Sequence, residues 1–225
     1  MRNPIAKLIL NNGRKIVLEL RPDYAYNEVC SFISAIRHGY YDNFAIQRIV
    51  PGSWIDASYN AFFRSECQYF LPNKIREESK GEIKVPELGD VCLGFFSDTE
   101  ISGAEFFFPL RRLEELAGKA PVIAQVIEGV EELRRIERVE TYPNPCEAVE
   151  INVPKTPEII VSTEVETFGE EYPEVGAPPL RPCPHGHLPG REGREGRRGV
   201  DATVTPPRPC GPATLSPTPG PGRAA

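Results

Sequence analysis

One arginine in this sequence lies in a setting where an arginine is unusual. Arg48 belongs to the stretch NFAIQRIVPGSWIDASYN, and strand alternation would place it on the same face as Ile46 and Val50. A guanidinium stays charged at any pH that a protein meets, so burying it without a partner is costly. An arginine on the solvent face of a strand is the ordinary alternative, and the apolar residues on its own face weaken that alternative.

Two acidic residues are candidates for chemistry beside this arginine. Asp56 follows Arg48 in the same stretch, and Glu105 precedes the aromatic run FFF at 106–108. Alternate residues of a strand point to opposite sides, so Phe106 and Phe108 are expected to share one side and Phe107 to face the other. A pair of carboxyl groups can hydrolyse glycosidic bonds, but the sequence shows no sugar-binding aromatic pattern. We therefore favour the interpretation that both carboxylates pair with the guanidinium.

A second set of polar residues lies near the C-terminus. Cys183, His185, His187 and Cys210 are residue types that bind zinc, but their spacing matches no known zinc finger. Prolines on both sides leave no regular structure to orient the ligands. An incidental cluster is the favoured interpretation, so the sequence predicts no metal and no cofactor.

The composition changes sharply along the 225 residues. Of the 24 prolines, 13 fall at or after Pro173, and Tyr172 is the last aromatic residue. A segment rich in Pro and Gly with no aromatic residues cannot bury enough apolar surface to offset its ordering entropy. We expect a folded domain over 1–172 and a disordered Pro/Gly/Arg-rich tail over 173–225.

The charge is divided in the same way. Seven arginines and three acidic residues follow Glu174, a net charge of +4, whereas the whole chain carries −6. The rest of the chain is therefore strongly acidic. Nucleic-acid binding needs a basic face, so nucleic acid is not expected as the main ligand.

The six cysteines show no close CxxC pairing and lie mostly among apolar residues, which is typical of reduced cysteines. The N-terminal stretch MRNPIAKLILNNGRK has only a short apolar run and lacks the core of a secretory signal. No apolar run approaches the roughly 20 residues that cross a bilayer. The sequence thus favours a cytoplasmic protein without a membrane partner, and we expect a monomer.

The first elements are predicted by their periodicity. IAKLILNNGRKIVLEL contains two alternating runs around Asn-Asn-Gly, which is a strong hairpin signal. NEVCSFISAIRHGYYDN has apolar residues at helical spacing, and Gly39 is placed to end the helix in a left-handed cap. The stretch around Arg48 is then expected as a third strand.

Later segments continue this mainly β pattern. GDVCLGFF, GAEFFFPL and APVIAQVIEG are predicted strands, GVEELRRIERVET is a second amphipathic helix, and PCEAVEINVP is the predicted last strand. Residues 60–88 are expected to form a surface excursion. Many strands with two helices indicate a closed antiparallel barrel with a helix at each end.

The order GYYDN, QRIVPG, SGAEFFF and LAGKAPVIAQVIEG resembles the cyclophilins, peptidyl-prolyl cis-trans isomerases built as an eight-stranded barrel capped by two helices. The resemblance extends from about Ala6 to Val153. It implies that Arg48 is the catalytic donor to the prolyl amide and that Phe107 lines the proline pocket. The implied partners are proline-containing peptides or unfolded chains.

Several positions depart from the family's pattern. Ser53-Trp54 replaces Phe-Met, Asp56 and Glu105 replace glutamines, and Ala120 replaces a histidine that some bacterial members also lack. Carboxylates only accept hydrogen bonds, so this site would lose donors and would hold Arg48 in ion pairs that compete with substrate. We therefore expect a weak isomerase or, as the alternative, a module that binds proline-containing peptides with little turnover.

The candidate substrate contacts are Phe107, Trp54, Glu105, Asp56, Ser53 and Phe95. Trp54 lies two residues after Gly52, and its two alternative roles are a ligand contact in the cleft and a filler in the core or at the rim. Phe95 lies in GFFSDTEISG, a loop that edges the cleft in this family. Packing of its ring against the barrel is the favoured role, and contact with substrate is the alternative.

Overall fold

The structure is a computed structural model that describes residues 2–57, 64–78, 83–144 and 150–175. The cysteine and histidine cluster near the C-terminus and the predicted tail from residue 176 onward lie outside the described residues.

The N-terminal hairpin and the first helix form as their patterns predict. Strand β1 (Ile5–Leu10) pairs antiparallel with β2 (Lys15–Leu20), and Gly13 takes the positive φ of the tight turn between them. Helix α1 (Tyr26–Arg37) follows, and Gly39 ends it with φ +68°. Both predicted elements are confirmed.

In the described ranges, eight further strands complete the sheet. They are β3 (Phe44–Ile46), β4 (Arg48–Val50), β5 (Trp54–Asp56), β6 (Phe70–Pro72), β7 (Asp90–Phe95), β8 (Glu100–Pro109), β9 (Val122–Glu128) and β10 (Glu158–Glu166). All of their pairings are antiparallel.

The sheet closes almost completely on itself. Its strand order is β3-β10-β1-β2-β9-β7-β8-β5-β4, with β6 added beside β8. The two ends of this path, β3 and β4, are consecutive in the chain and are separated by Gln47 alone. Counted as one bent strand, they reduce the path to eight strands, which confirms the predicted mainly β barrel.

Two helices place apolar faces in the core. Helix α1 buries Phe32 and Ile33, and helix α3 (Val130–Ile136) buries Leu133 and Ile136. The remaining helical turns are short: α2 (Ile75–Glu78) and the 3₁₀ helices Ser65–Cys67 and Glu114–Leu116. The predicted surface excursion therefore contains a helical turn, a strand and a second helical turn.

An aromatic cluster fills the barrel interior. Phe106 of β8 contacts Phe32, Tyr41 and Phe44, with ring centroids 5.1 to 6.1 Å apart, and Phe108 packs on its other side at 5.7 Å. All five rings are fully buried. This interior fixes the direction in which alternate residues of β8 point.

Two strand predictions are wrong in their extent. The stretch around Arg48 is three short strands rather than one, because the Pro51-Gly52 turn reverses the chain between β4 and β5. The last strand is Glu158–Glu166, not PCEAVEINVP, of which the described part forms only isolated bridges at Asn152 and Pro154.

The described chain continues past the last strand and stays in contact with the barrel. Tyr172 is buried in the core and lies 6.2 Å from the ring of Tyr26, and Val175 packs against the same core. Within the described ranges, no helix is long and apolar enough to cross a membrane.

Candidate functional site

Arg48 is positioned by the hairpin of β4 and β5, in which it lies directly opposite Asp56. Its Nη1 is 3.3 Å from the Oδ2 of Asp56, and its Nε donates a hydrogen bond to the main-chain oxygen of Glu150 at 2.8 Å. The Arg48 side chain is 19% exposed and that of Asp56 is 8% exposed. The guanidinium is therefore held near the surface by two acceptors.

An aromatic ring lies between this cation and the strand β8. The guanidinium carbon of Arg48 is 5.3 Å from the Trp54 ring centroid, within the range of a cation–π interaction. The Trp54 ring is in turn 6.3 Å from that of Phe107, at an interplanar angle of 61°. The three side chains form one continuous contact series.

Phe107 belongs to a small apolar cluster separate from the main core. Its buried members are Cys92, Phe107, Leu113, Leu116, Ala120 and Val122, with Trp54 and Phe95 at its edge. Phe106 and Phe108 face the main core instead. The predicted alternation of the three phenylalanines is therefore confirmed.

Glu105 lies two residues before Phe107 on β8 and is 7% exposed. Burial and the negative charge of Asp56 together raise the pKa of Glu105 to about 8. No lysine, arginine or histidine of the described ranges lies within ion-pair distance of its carboxyl group. The expected ion pair of Glu105 with Arg48 is therefore wrong, and only Asp56 forms it.

Ser53 and Phe95 have structural contacts of their own. The main-chain N–H of Ser53 donates to the main-chain oxygen of Val50 at 2.9 Å. The main-chain oxygen of Ser53 accepts from the N–H of Leu110 at 2.8 Å, so Ser53 stabilises the turn between β4 and β5. Phe95 is half-buried and packs against both apolar clusters. Their predicted substrate contacts stay predictions.

Three residues that form part of the site were not predicted from the sequence. Leu113 and Leu116 form part of the apolar cluster around Phe107, and the main-chain oxygen of Glu150 anchors Arg48. The i, i+3 spacing of the two leucines was the available signal for a shared face. A main-chain acceptor carries no residue signature, so nothing in the sequence indicated Glu150.

The described residues contain no group of three or more His, Cys, Asp or Glu side chains suited to hold a metal ion. Burial raises the pKa of the Cys92 thiol well above its ordinary value, so this cysteine is not a thiolate at neutral pH. The site thus offers a fixed cation, two carboxyl groups and an apolar cluster around Phe107.

A fixed cation beside an apolar cluster suits a ligand that joins an apolar ring to a polar group. The arrangement can bind and polarise such a ligand without forming a covalent bond.

A protein-family model supports this interpretation of the geometry. The model described as cyclophilin type peptidyl-prolyl cis-trans isomerase/CLD matches residues 5–165, which is most of the described chain. The match includes β10, beyond the segment on which the sequence resemblance rested.

Curated relatives carry related names. A peptidyl-prolyl cis-trans isomerase-like 2 from Cryptococcus neoformans is 28% identical over 137 residues, covering 60% of this chain and 24% of the relative. A peptidyl-prolyl cis-trans isomerase from Arabidopsis thaliana is 23% identical over 186 residues, covering 78% of this chain and 37% of the relative. The chain therefore spans about a quarter to a third of the length of these relatives.

Solved structures show the same fold. A crystal structure of a cyclophilin type peptidyl-prolyl cis-trans isomerase from Cryptosporidium parvum, determined in the presence of the dipeptide Ala-Pro, matches with a TM-score of 0.60. Identity is 19%, and the match covers 72% of this chain and 99% of that one. A second crystal structure of that protein matches with the same TM-score.

Proposed function

The chain belongs to the cyclophilin-type peptidyl-prolyl cis-trans isomerase family, and from this premise we propose that it accelerates the isomerisation of X-Pro bonds in unfolded or flexible chains. Resonance gives the C–N bond of a peptide double-bond character, and the barrier to its rotation is about 18–20 kcal/mol. Rotation needs neither a nucleophile nor a metal. An interaction that is stronger with the twisted amide than with either planar form is sufficient.

Arg48 has the chemistry for that interaction. An N–H that donates to the imide nitrogen favours its pyramidal form and removes the conjugation that resists rotation. Nε and Nη1 of Arg48 are occupied by Glu150 and Asp56. Among the described residues Nη2 has no hydrogen-bond partner, so its N–H groups are available to a substrate.

The apolar cluster around Phe107 is the proposed seat of the proline ring. Leu113, Leu116, Ala120 and Val122 surround the phenylalanine, and Trp54 stands between this cluster and Arg48. Burying the ring there would orient the prolyl amide toward the guanidinium. The observation that carries the proposal is this contact series from Arg48 through Trp54 to Phe107.

A second candidate function is peptide binding with little turnover. It is favoured by one observation, the engagement of Arg48 by Asp56 at 3.3 Å and by the Glu150 oxygen at 2.8 Å. These acceptors compete with a substrate for the guanidinium. In this alternative the pocket still accepts proline, but the barrier to rotation is lowered little.

The described cysteines Cys30, Cys67 and Cys92 are buried and free, which supports a reducing compartment such as the cytoplasm. We propose a monomer that assists protein folding and takes proline-containing segments as partners.

The test is an isomerisation assay on an Ala-Pro peptide with the wild type, Arg48→Ala and the control Arg37→Ala. Arg37 is an exposed arginine in the last turn of α1, so its removal leaves the site intact. We expect Arg48→Ala to lower kcat/KM about a hundredfold, the effect of removing one transition-state donor. Arg37→Ala should keep the wild-type rate.

Rates equal to the uncatalysed reaction for all three proteins would contradict the isomerase proposal. Peptide binding, followed by NMR shifts of the single tryptophan Trp54, would then decide for or against the binding module. Binding without rate enhancement supports the alternative, and the absence of binding contradicts both candidate functions.

A further inference from the structure

The carboxyl group of Glu105 is enclosed by three neighbouring strands. It lies on β8 and shares the strand face of Phe107, while Phe106 faces the main core. Gly94 of β7 lies against it: a Cβ at Gly94 would be 3.2 Å from Oε2 of Glu105. On the other side β5 places Asp56 opposite Phe107. The glycine leaves the space that the carboxyl group occupies.

The charges around Glu105 do not balance. Arg48 donates to Asp56 and to the Glu150 oxygen, and no cation of the described ranges lies within 4.0 Å of the Glu105 carboxyl group. Asp56 therefore has the guanidinium of Arg48 as its partner, and Glu105 has no cationic partner among the described residues. An unpaired buried carboxylate is costly, and protonation removes that cost.

The other titratable groups near Glu105 are also uncharged. Tyr41, before β3, and Cys67, in the 3₁₀ helix, are close enough for Glu105 to contribute to their raised pKa values, and burial is the larger cause for both. Each is neutral at physiological pH. Among the described residues, Asp56 is therefore the charged group that acts on Glu105, and its negative charge favours the protonated form.

We propose that Glu105 works as a protonated carboxylic acid that donates a hydrogen bond to a backbone carbonyl of the bound proline-containing peptide. The inference rests on the proposed function and assigns a role to one residue of that site. A protonated carboxyl group carries one donor and one acceptor, as a primary amide does, whereas a carboxylate only accepts. The two acidic residues then have different roles: Asp56 positions Arg48 through an ion pair, and Glu105 binds the substrate through a hydrogen bond.

This role makes substrate handling depend on pH in a defined direction. The pKa of Glu105 lies at about 8, so the donor is present at pH 7 and is lost as the pH rises through that value. A group of this pKa is mostly protonated at pH 7 and mostly ionised at pH 9. We expect kcat/KM to fall about tenfold between these two pH values.

The first experiment compares pH profiles of the wild type, Glu105→Gln and Glu131→Gln. Exchange NMR on an Ala-Pro peptide measures the rate without a coupling protease, whose own activity varies with pH. Glutamine keeps the donor and does not titrate, so the profile of Glu105→Gln should be flat from pH 7 to 9. Glu131 is an exposed residue of α3, and its replacement should keep the wild-type fall. A flat wild-type profile, or the same fall in Glu105→Gln, would overturn the inference.

A second experiment follows the Glu105 carboxyl carbon directly by ¹³C NMR, with and without the Ala-Pro peptide. A midpoint near 8 that rises further with peptide is expected, because a carbonyl acceptor stabilises the protonated form. A midpoint near the ordinary value of 4.5, or one that peptide lowers, would overturn the inference. This measurement does not require catalysis, so it tests the role of Glu105 even if the protein binds peptides without turnover. Failure of the peptide to bind at every pH would overturn the inference together with both candidate functions.

Discussion

At the scale of residues, two carboxyl groups on adjacent strands differ in their protonation because their neighbours differ. Asp56 faces Arg48 across the β4–β5 hairpin and has the guanidinium as its partner. Glu105 has the backbone of Gly94 on one side and Asp56 nearby. The same functional group is thus an ion-pair partner of Arg48 at Asp56 and a neutral hydrogen-bond donor at Glu105.

The raised pKa of Glu105 predicts how stability depends on pH. The folded chain binds this proton more tightly than the unfolded chain does, so the stabilisation is complete below pH 4.5 and is lost progressively as the pH rises to about 8. Glu105→Gln does not titrate and should gain free energy of unfolding relative to the wild type across that window. At about 1.4 kcal/mol for each pKa unit the gain reaches a few kcal/mol.

Urea unfolding at pH 5, 6.5 and 8 measures this difference. The gain should increase over the three pH values and should be constant above pH 8. Glu131→Gln is the matched control, since its carboxyl group is exposed on α3. An equal gain at all three pH values would point to packing rather than to protonation.

The positions of the site's side chains were predictable from the sequence, but their protonation states were not. Strand alternation predicted the sides on which Phe106 and Phe107 point, and the structure bears this out. The protonation of Glu105 was not predictable, since it depends on which carboxyl group takes the guanidinium of Arg48 in the folded chain. Local sequence contains no information about that competition.

At the scale of elements, one arginine connects the second amphipathic helix to the last strand. Arg135 of α3 donates two hydrogen bonds to the buried carboxylate of Glu158 in β10, at 2.7 and 2.6 Å, and a third to Glu132 at 2.8 Å. Glu132 also pairs with Arg14 of the N-terminal hairpin. Both carboxylates are almost fully buried, so neither has water as a substitute partner.

Arg135→Ala should therefore lower the free energy of unfolding by about 3 kcal/mol, because it leaves two buried carboxylates short of a partner. Arg134→Ala is the matched control on the same helix. The Arg134 side chain is half-exposed and pairs with Glu137, so its removal should cost less than about 1 kcal/mol. Urea unfolding compares the two variants, and equal losses would contradict the structural role of Arg135.

Elements with a strong period were predictable, and elements held by distant partners were not. The NNG hairpin and α1 follow from local turn chemistry and apolar spacing. Strand β10 contains charged residues at Glu158, Glu164 and Glu166, so its sequence is a weak strand signal. It forms because β1 and β3 flank it, and those partners lie more than a hundred residues away in the chain.

At the scale of the whole molecule, the position of β10 predicts where the chain can be shortened. Removing everything after Pro157 deletes the strand that joins β1 to β3 and should abolish cooperative unfolding. Residues 1–175 keep β10 and the contacts of Tyr172 and should retain the melting temperature of the full chain. Circular dichroism melts of both truncations test this, and a cooperative melt of residues 1–157 would contradict the role of β10.

The junction between β3 and β4, where the barrel closes, has a consequence for protein synthesis. Arg48 follows Gln47, the residue at which the chain changes from pairing with β10 to pairing with β5, and Phe44 lies opposite Ile160. Pairings so distant in sequence carry a large loop-closure entropy and form slowly. A growing chain on the ribosome cannot complete the pairing of β10 with β1 and β3 until Glu166 has emerged. The prolines that precede this strand must reach their native isomers before the barrel can close, and uncatalysed isomerisation at proline takes tens of seconds or longer.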